Sequence, residues 1–134
     1  MLTATDSGEA AAHRVADYLQ MYSFQWANEA DLQRAIWDVL QGAKGTEFAD
    51  VQREVRLSGR DRPDFVVRVG EVLVAIEVKV AGSRGAVLRQ LGRYCEHDAV
   101  DAVVFAGAKR AMIAGFPARI HQKPVLAAYV GTAV

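Results

Sequence analysis

The sequence predicts an α/β fold in which a mixed sheet is covered by helices, and three observations carry that prediction. Apolar residues recur at helical spacing in three stretches, and strand-length apolar or alternating runs appear in five others. Their order along the chain is α-α-β-β-β-α-β-β. At 134 residues the chain has the size of one domain, with enough length to bury a core without disulfide staples.

The first helix is expected over residues 7–22, with Ala11, Val15, Tyr18, Leu19 and Tyr22 as its apolar stripe and Asp6 and Glu9 in a capping-box-like spacing. A second helix is expected from Glu29 to Gln41, opened by Asn28 and stopped at Gly42, with Leu32, Ala35, Ile36, Val39 and Leu40 facing inward. Residues 43–50 read as a loop and residues 51–57 as an alternating strand. The turn Ser58-Gly59-Arg60-Asp61-Arg62-Pro63 leads into two further strands, 65–69 and 72–80, separated by the two-residue turn Gly70-Glu71. Ser83 caps a third helix running to about His97, whose core side is Val87, Leu88, Leu91 and Cys95. A continuous apolar strand at 100–106, a short helix around 110–114 and a last strand at 125–130 behind Pro124 complete the chain. We read residues 1–23 as an N-terminal helical extension and 28–130 as the core, with no repeat or linker between them.

Composition narrows the classes. A single cysteine, Cys95, excludes a disulfide framework and a cysteine-based zinc site, and fits a reducing cytoplasm. No apolar run approaches the roughly 20 residues of a membrane span, and the start of the chain lacks the basic-then-apolar profile of a signal peptide. A cytoplasmic protein with no membrane partner is therefore expected. Net charge is zero, yet residues 1–50 hold eight acids against three bases, whereas residues 51–134 hold thirteen bases against eight acids. Lys79, Arg84, Arg89 and Arg93 follow one another without an intervening acid, a local basic field that suits a polyanion.

Chemistry concentrates in Pro63-Asp64 and, thirteen positions after Asp64, Glu77-Val78-Lys79. Alternation puts Glu77 and Lys79 on one face of their strand, with Leu73 and Ala75, while Val72, Val74, Ile76, Val78 and Val80 form the other face. If Val69 pairs with Val72 across the turn, the same register brings Asp64 opposite Glu77, with Cβ atoms roughly 4.5–5.5 Å apart. Two acids at that separation repel unless a cation lies between them; the alternative is a solvated hairpin end in which Lys79 neutralises one acid. Glu29 shares the apolar face of its helix with Leu32 and Ile36, either as part of a site or as a favourable anion in the first turn. Gln90 and Tyr94, four residues apart, lie one above the other on the third helix, beside its core stripe.

Glu29, Pro63-Asp64, Glu77-Val78-Lys79 and Gln90-Leu91-Gly92-Arg93-Tyr94 together resemble the PD-(D/E)XK nuclease superfamily, and the Gln90…Tyr94 pair resembles the Q-x-x-x-Y motif of its RecB-like branch. The resemblance spans residues 29–130 and rests on the ordered set, since no single motif is specific. It implies a restriction-endonuclease-like α-β-β-β-α-β core. It also implies that Asp64, Glu77 and the carbonyl of Val78 ligate Mg²⁺ or Mn²⁺, as hard cations prefer oxygen. Glu29 would hold a water at the metal or a second ion, Lys79 would orient the attacking water and offset developing charge, and Gln90 and Tyr94 would support the site. The implied product is a 5′-phosphate end. Arg84, Arg89 and Arg93 are candidates for DNA phosphate contacts on charge and helix position alone.

The expected activity is metal-dependent DNA hydrolysis directed to ends or structures such as junctions, by analogy carried out by a homodimer. The exposed apolar run from Val125 to Val134 is one expected contact surface. The competing reading is a non-catalytic nucleic-acid-binding or regulatory module on the same fold. A third is an interaction protein whose Asp64, Glu77 and Lys79 form only a salt-bridged hairpin. His13, His97 and His121 have no metal-ligand spacing and read as surface residues, Trp26 and Trp37 as packing residues, and Gly107-Ala108-Lys109 is too short for a phosphate-binding loop.

Overall fold

The computed structural model describes residues 4–133. Twelve elements follow one another: α1 (Ala4–Gln20), β1 (Phe24–Trp26), α2 (Glu29–Gly42), β2 (Asp50–Arg53), β3 (Phe65–Val69), β4 (Val72–Lys79), α3 (Arg84–Cys95), β5 (Ala102–Gly107), α4 (Arg110–Ile113), β6 (Arg119–Ile120), β7 (Lys123–Tyr129) and β8 (Gly131–Ala133). Six strands form one mixed sheet in the order β2-β3-β4-β5-β7-β6. β2, β3 and β4 make an antiparallel meander, β5 and β7 continue it in parallel, and β6 closes the far edge antiparallel. The run α2-β2-β3-β4-α3-β5 is the α-β-β-β-α-β core that the resemblance implies.

The period-two pattern of the strands divides the core into two layers. Phe65, Val67 and Val69 of β3, Val74, Ile76 and Val78 of β4, and Ala102, Val104 and Ala106 of β5 pack beneath α1 and α2. Val66, Leu73, Ala75, Val103 and Phe105 pack beneath α3 with Val87, Leu91, Tyr94 and Cys95. Residue 77 therefore falls on the α3 side, following Leu73 and Ala75. The hairpin register is the expected one, Val69 opposite Val72 through Phe65 opposite Ile76, and Gly70 takes the positive φ (61°) that its turn requires.

Several expectations are corrected. Helix α1 already includes Ala4, so Asp6 lies within the helix and not before its first turn. Along α1, Ala11, Ala12, Val15, Ala16 and Leu19 are buried in the same layer as the sheet's central strands. Helix α2 is capped as expected, the Asn28 side chain accepting from the Asp31 amide, but it runs through Gly42, and the left-handed turn comes at Gly45 instead. The strand expected over residues 51–57 stops at Arg53, because Glu54 adopts φ 54° and turns the chain out of the sheet. Strands β1 and β8 pair with each other in parallel as a separate two-stranded sheet. Neither was legible from three residues of pattern. The apolar run expected as an exposed contact surface is largely interior: Val125, Ala128 and Val130 are buried, and β7 lies between β5 and β6. Val134 lies outside the described residues.

Candidate active site

Continuing the β3–β4 register by one residue sets Asp64 opposite Glu77, at the end of the hairpin where β3 begins and β4 leaves the sheet. Burial there is uneven: Asp64 is half-buried, while Glu77 is only 3% exposed. Each carboxylate oxygen meets an internal donor. The Glu77 carboxylate accepts from the Tyr94 hydroxyl at Oε1 (2.7 Å) and lies 3.2 Å from the Lys79 ammonium at Oε2. The Asp64 carboxylate accepts from the Val78 amide at Oδ2 (2.7 Å) and from the Gln33 side-chain amide at Oδ1 (3.2 Å). From α3, Gln90 donates to the Tyr94 hydroxyl at 3.0 Å, extending the chain of bonds outward. Glu29, at the start of α2, accepts from the Val80 amide at 3.3 Å, one residue past Lys79.

Backbone directions explain why proline precedes the acid. Leu73 and Lys79 turn their carbonyls towards β5, accepting from Asp101 and Ala108, so the intervening even-numbered residues of β4, Val78 included, face β3. Arg68 and Asp64 turn theirs towards the β2 side, accepting from Ala49 and Glu54, which leaves position 63 facing β4. The register extended by two residues places Pro63 opposite Val78. Pro63 has no N–H, so it cannot donate to the Val78 carbonyl, and the Val78 amide is taken by Asp64. The proline thus leaves one backbone carbonyl without its ladder donor beside two carboxylates. Asp64 and Glu77 fall in a position without reciprocal backbone bonds, where facing side chains stand closest.

The electrostatics are strained in one direction. Burial, and then the Glu77 charge, push the Asp64 carboxyl up to about 7, against the bond from Val78 and the charge of Lys79. Burial also raises Glu77, opposed by Tyr94 and Lys79. Lys79 loses solvation, which works against its charge, but Glu77, Glu29 and Asp64 together hold its pKa above the ordinary lysine value. Burial and the Glu77 charge likewise raise Tyr94, keeping the phenol a donor.

The structure thus brings Asp64, Glu77, Lys79, Gln90 and Tyr94 into one connected group, with Glu29 at its edge. Among the described residues no three histidine, cysteine or acidic side chains stand close enough to hold a metal ion by themselves. Two carboxylates and the carbonyl of Val78, to which Pro63 cannot donate, are the oxygen set on which a hard cation could settle. The α3 arginines fare differently from expectation. Arg84 donates to the carbonyl of Ala114, and Arg93 is bound to Asp61 through Nε at 3.0 Å, leaving only Arg89 of the three without such a partner among the described residues. Sequence reasoning missed Gln33, although it lies four residues after Glu29 and so on the same helix face. It also read His97 as a surface residue, whereas His97 bonds the buried Asp61 at 2.9 Å.

The fold and this group define an α/β protein with a repelling pair of acids, and a lysine, at the open end of a hairpin. No family model matches the sequence, and no curated protein matches it. Among solved structures, the small subunit (R.BspD6I2) of the heterodimeric restriction endonuclease R.BspD6I is similar, with a TM-score of 0.43 and 13% identity, over 90% of this chain and 70% of that chain. Nothing about chemistry rests on that likeness. Among the described residues no helix is long and apolar enough to cross a membrane.

Proposed function

We propose that this chain is a metal-dependent nuclease that hydrolyses DNA phosphodiester bonds at ends or structures such as junctions and leaves 5′-phosphates. The observation that carries the reading is the facing pair Asp64 and Glu77, next to a Val78 carbonyl to which Pro63 cannot donate, with Lys79 on the strand face of Glu77. Repulsion between two desolvated acids is relieved when a cation is shared, which gives the pair a use that a merely structural hairpin lacks. Asp64, Glu77 and the Val78 carbonyl would hold Mg²⁺ or Mn²⁺, and Glu29 would hold a water at the metal or a second ion. The bound cation would supply Lewis acidity towards the phosphodiester and make water easier to deprotonate.

The remaining work falls to side chains of this chain. Lys79, tethered to Glu77, orients the attacking water and donates to the charge that grows on the phosphoryl oxygens. Tyr94 fixes the Glu77 carboxylate by its hydroxyl, and Gln90 fixes that hydroxyl, the arrangement that supports assignment to the RecB-like branch. Gln33 performs the same service for Asp64 from α2. We take residues 1–134 as one nuclease unit, acting as a homodimer where both strands are cut.

One observation favours a second reading. All four oxygens of Asp64 and Glu77 already meet internal donors, as they would in a non-catalytic nucleic-acid-binding or regulatory module on the same fold. Incubation with linear duplex, single-stranded and junction DNA decides between them. The nuclease requires cleavage that depends on Mg²⁺ or Mn²⁺ and falls about 100-fold or more in Lys79→Ala. Salt-sensitive binding without cutting supports the module, and a Lys79→Ala protein that cuts as well as the parent removes the assigned site.

A further inference from the structure

A cavity of about 230 Å³ opens beside Asp64, lined by Ala30, Gln33 and Arg34 of α2, Arg53 and Glu54 at the end of β2, and Phe65. It lies on the opposite side of the acid pair from the α3 arginines, and Asp64 forms part of its wall. Arg53 and Arg34 supply its positive charge. The Arg53 guanidinium lies 5.4 Å above the Trp37 ring, which itself stacks on Phe65 at 5.9 Å, so an aromatic face and not an acid positions it. Among the described residues Arg53 has no ion pair, and the nearest acid to Arg34, Asp31, stands at a weak 3.9 Å. Glu54, the second acid on this wall beside Asp64, is placed by a left-handed backbone (φ 54°) and stands 3.9 Å from Arg62. A non-glycine residue in that conformation is strained and persists only where the surroundings hold it.

We infer that this cavity binds the phosphate next to the one cleaved, with Arg53 and Arg34 as its ligands, so that the DNA strand runs across α2 and the end of β2 rather than along α3. The inference deepens the nuclease reading and rests on it for the position of the cleaved bond. Its own support is separate: guanidinium forks suit phosphate oxygens, and two of the three α3 arginines are engaged within the protein. Gln33 joins the two regions, since it lines the cavity and donates to Asp64. A strand held here is thereby indexed against the acid pair.

The test measures binding and cutting separately. A fluorescein-labelled single-stranded oligonucleotide is titrated by anisotropy against the 134-residue Lys79→Ala protein in Mg²⁺, across a series of salt concentrations. Adding Arg53→Ala or Arg34→Ala should each weaken binding about tenfold and reduce the salt slope by roughly 0.7 per residue removed. Arg53→Lys, which keeps the charge but not the planar fork, should recover only part of the loss, and Arg119→Ala on the far edge of the sheet should change nothing. Both arginines are exposed, so the variants should melt as the parent does, and melting curves check this. Unchanged affinity and slope in Arg53→Ala and Arg34→Ala overturn the inference; if the parent still cuts, the nuclease reading survives that result. Lost binding in the arginine variants of a parent that never cuts upholds the cavity and overturns the nuclease.

Discussion

Two acids three residues apart, Asp61 and Asp64, meet opposite fates. Asp61 is 5% exposed and saturated with donors: Arg93 at 3.0 Å, His97 at 2.9 Å and Arg60 at 3.4 Å. The His97 bond, with help from Arg93 and Arg60, holds its carboxyl below the ordinary aspartate range despite burial. Asp64 has two neutral donors and faces a second acid, and its carboxyl rises to about 7. Burial alone therefore does not mark a functional acid. The balance of donors and cations against carboxylates does: Asp61 fastens the 54–64 loop to the end of α3, while the Asp64–Glu77 pair has, among the described residues, an ion pair with Lys79 alone.

Removing each acid in turn should break the comparison most sharply. Asp61→Ala leaves Arg93 and His97 without their acceptor and should cost about 2 kcal/mol, less than the roughly 3–5 of a fully buried pair because the Arg93 side chain keeps 32% of its surface in water. Because the folded carboxyl titrates below the unfolded one, that contribution is fully present above the unfolded pKa of about 3.9. It is lost as pH falls through the lower folded value, so parent and variant should converge in strong acid. Asp64→Ala should abolish cleavage while lowering stability far less. Urea melts of the two variants at neutral pH measure this, and an Asp64→Ala loss equal to that of Asp61→Ala would erase the distinction.

Titration sharpens the same contrast with a smaller effect. Asp64 binds a proton in the folded chain up to about pH 7 and in the unfolded chain only to about 3.9. Between those values the native state holds more protons, so the contribution of Asp64 to stability falls as pH rises from about 4 to 7. Asp64→Asn should flatten that slope and melt above the parent at pH 8, and Mg²⁺ should raise the parent's melting temperature at pH 8 but not that of the variant. Identical slopes in the two proteins would show that the acid pair is not repelling.

How much of this was legible in the sequence follows from the range of each interaction. The β3–β4 hairpin and its register could be read because a two-residue turn and strict alternation are local, and those two signals suffice to set Asp64 opposite Glu77. Ser83 and Asn28 were legible for the same reason, each capping a helix through an amide three residues on. The pairing of β1 with β8 was not, because it joins segments more than a hundred residues apart through three residues each. Arg93 looked like a phosphate ligand because charge and helix position are visible in sequence, whereas its partner Asp61, 32 residues away, is not. Arg53 was hidden for the complementary reason: the strand expected to carry the chain onward ends at Arg53, and the turn at Glu54 forms part of the cavity wall.

The smallest expected effect concerns the one neutral donor to Glu77. Tyr94 is fully buried, and its hydroxyl both donates to Glu77 and accepts from Gln90. Tyr94→Phe removes a hydrogen bond to a carboxylate and should cost about 1.5 kcal/mol. A packing role alone would stop there, since phenylalanine fills nearly the same space. The hydroxyl, however, lowers the Glu77 carboxyl against burial, so its loss should raise that group further and move the acid limb of the cleavage–pH profile upward, with activity at high pH nearly retained. Because Glu77 must be ionised to hold a cation, the shifted limb should also appear as weaker Mg²⁺ binding at low pH than at high pH. A Tyr94→Phe protein that loses stability but keeps the parent's pH profile would make Tyr94 a core residue and nothing more.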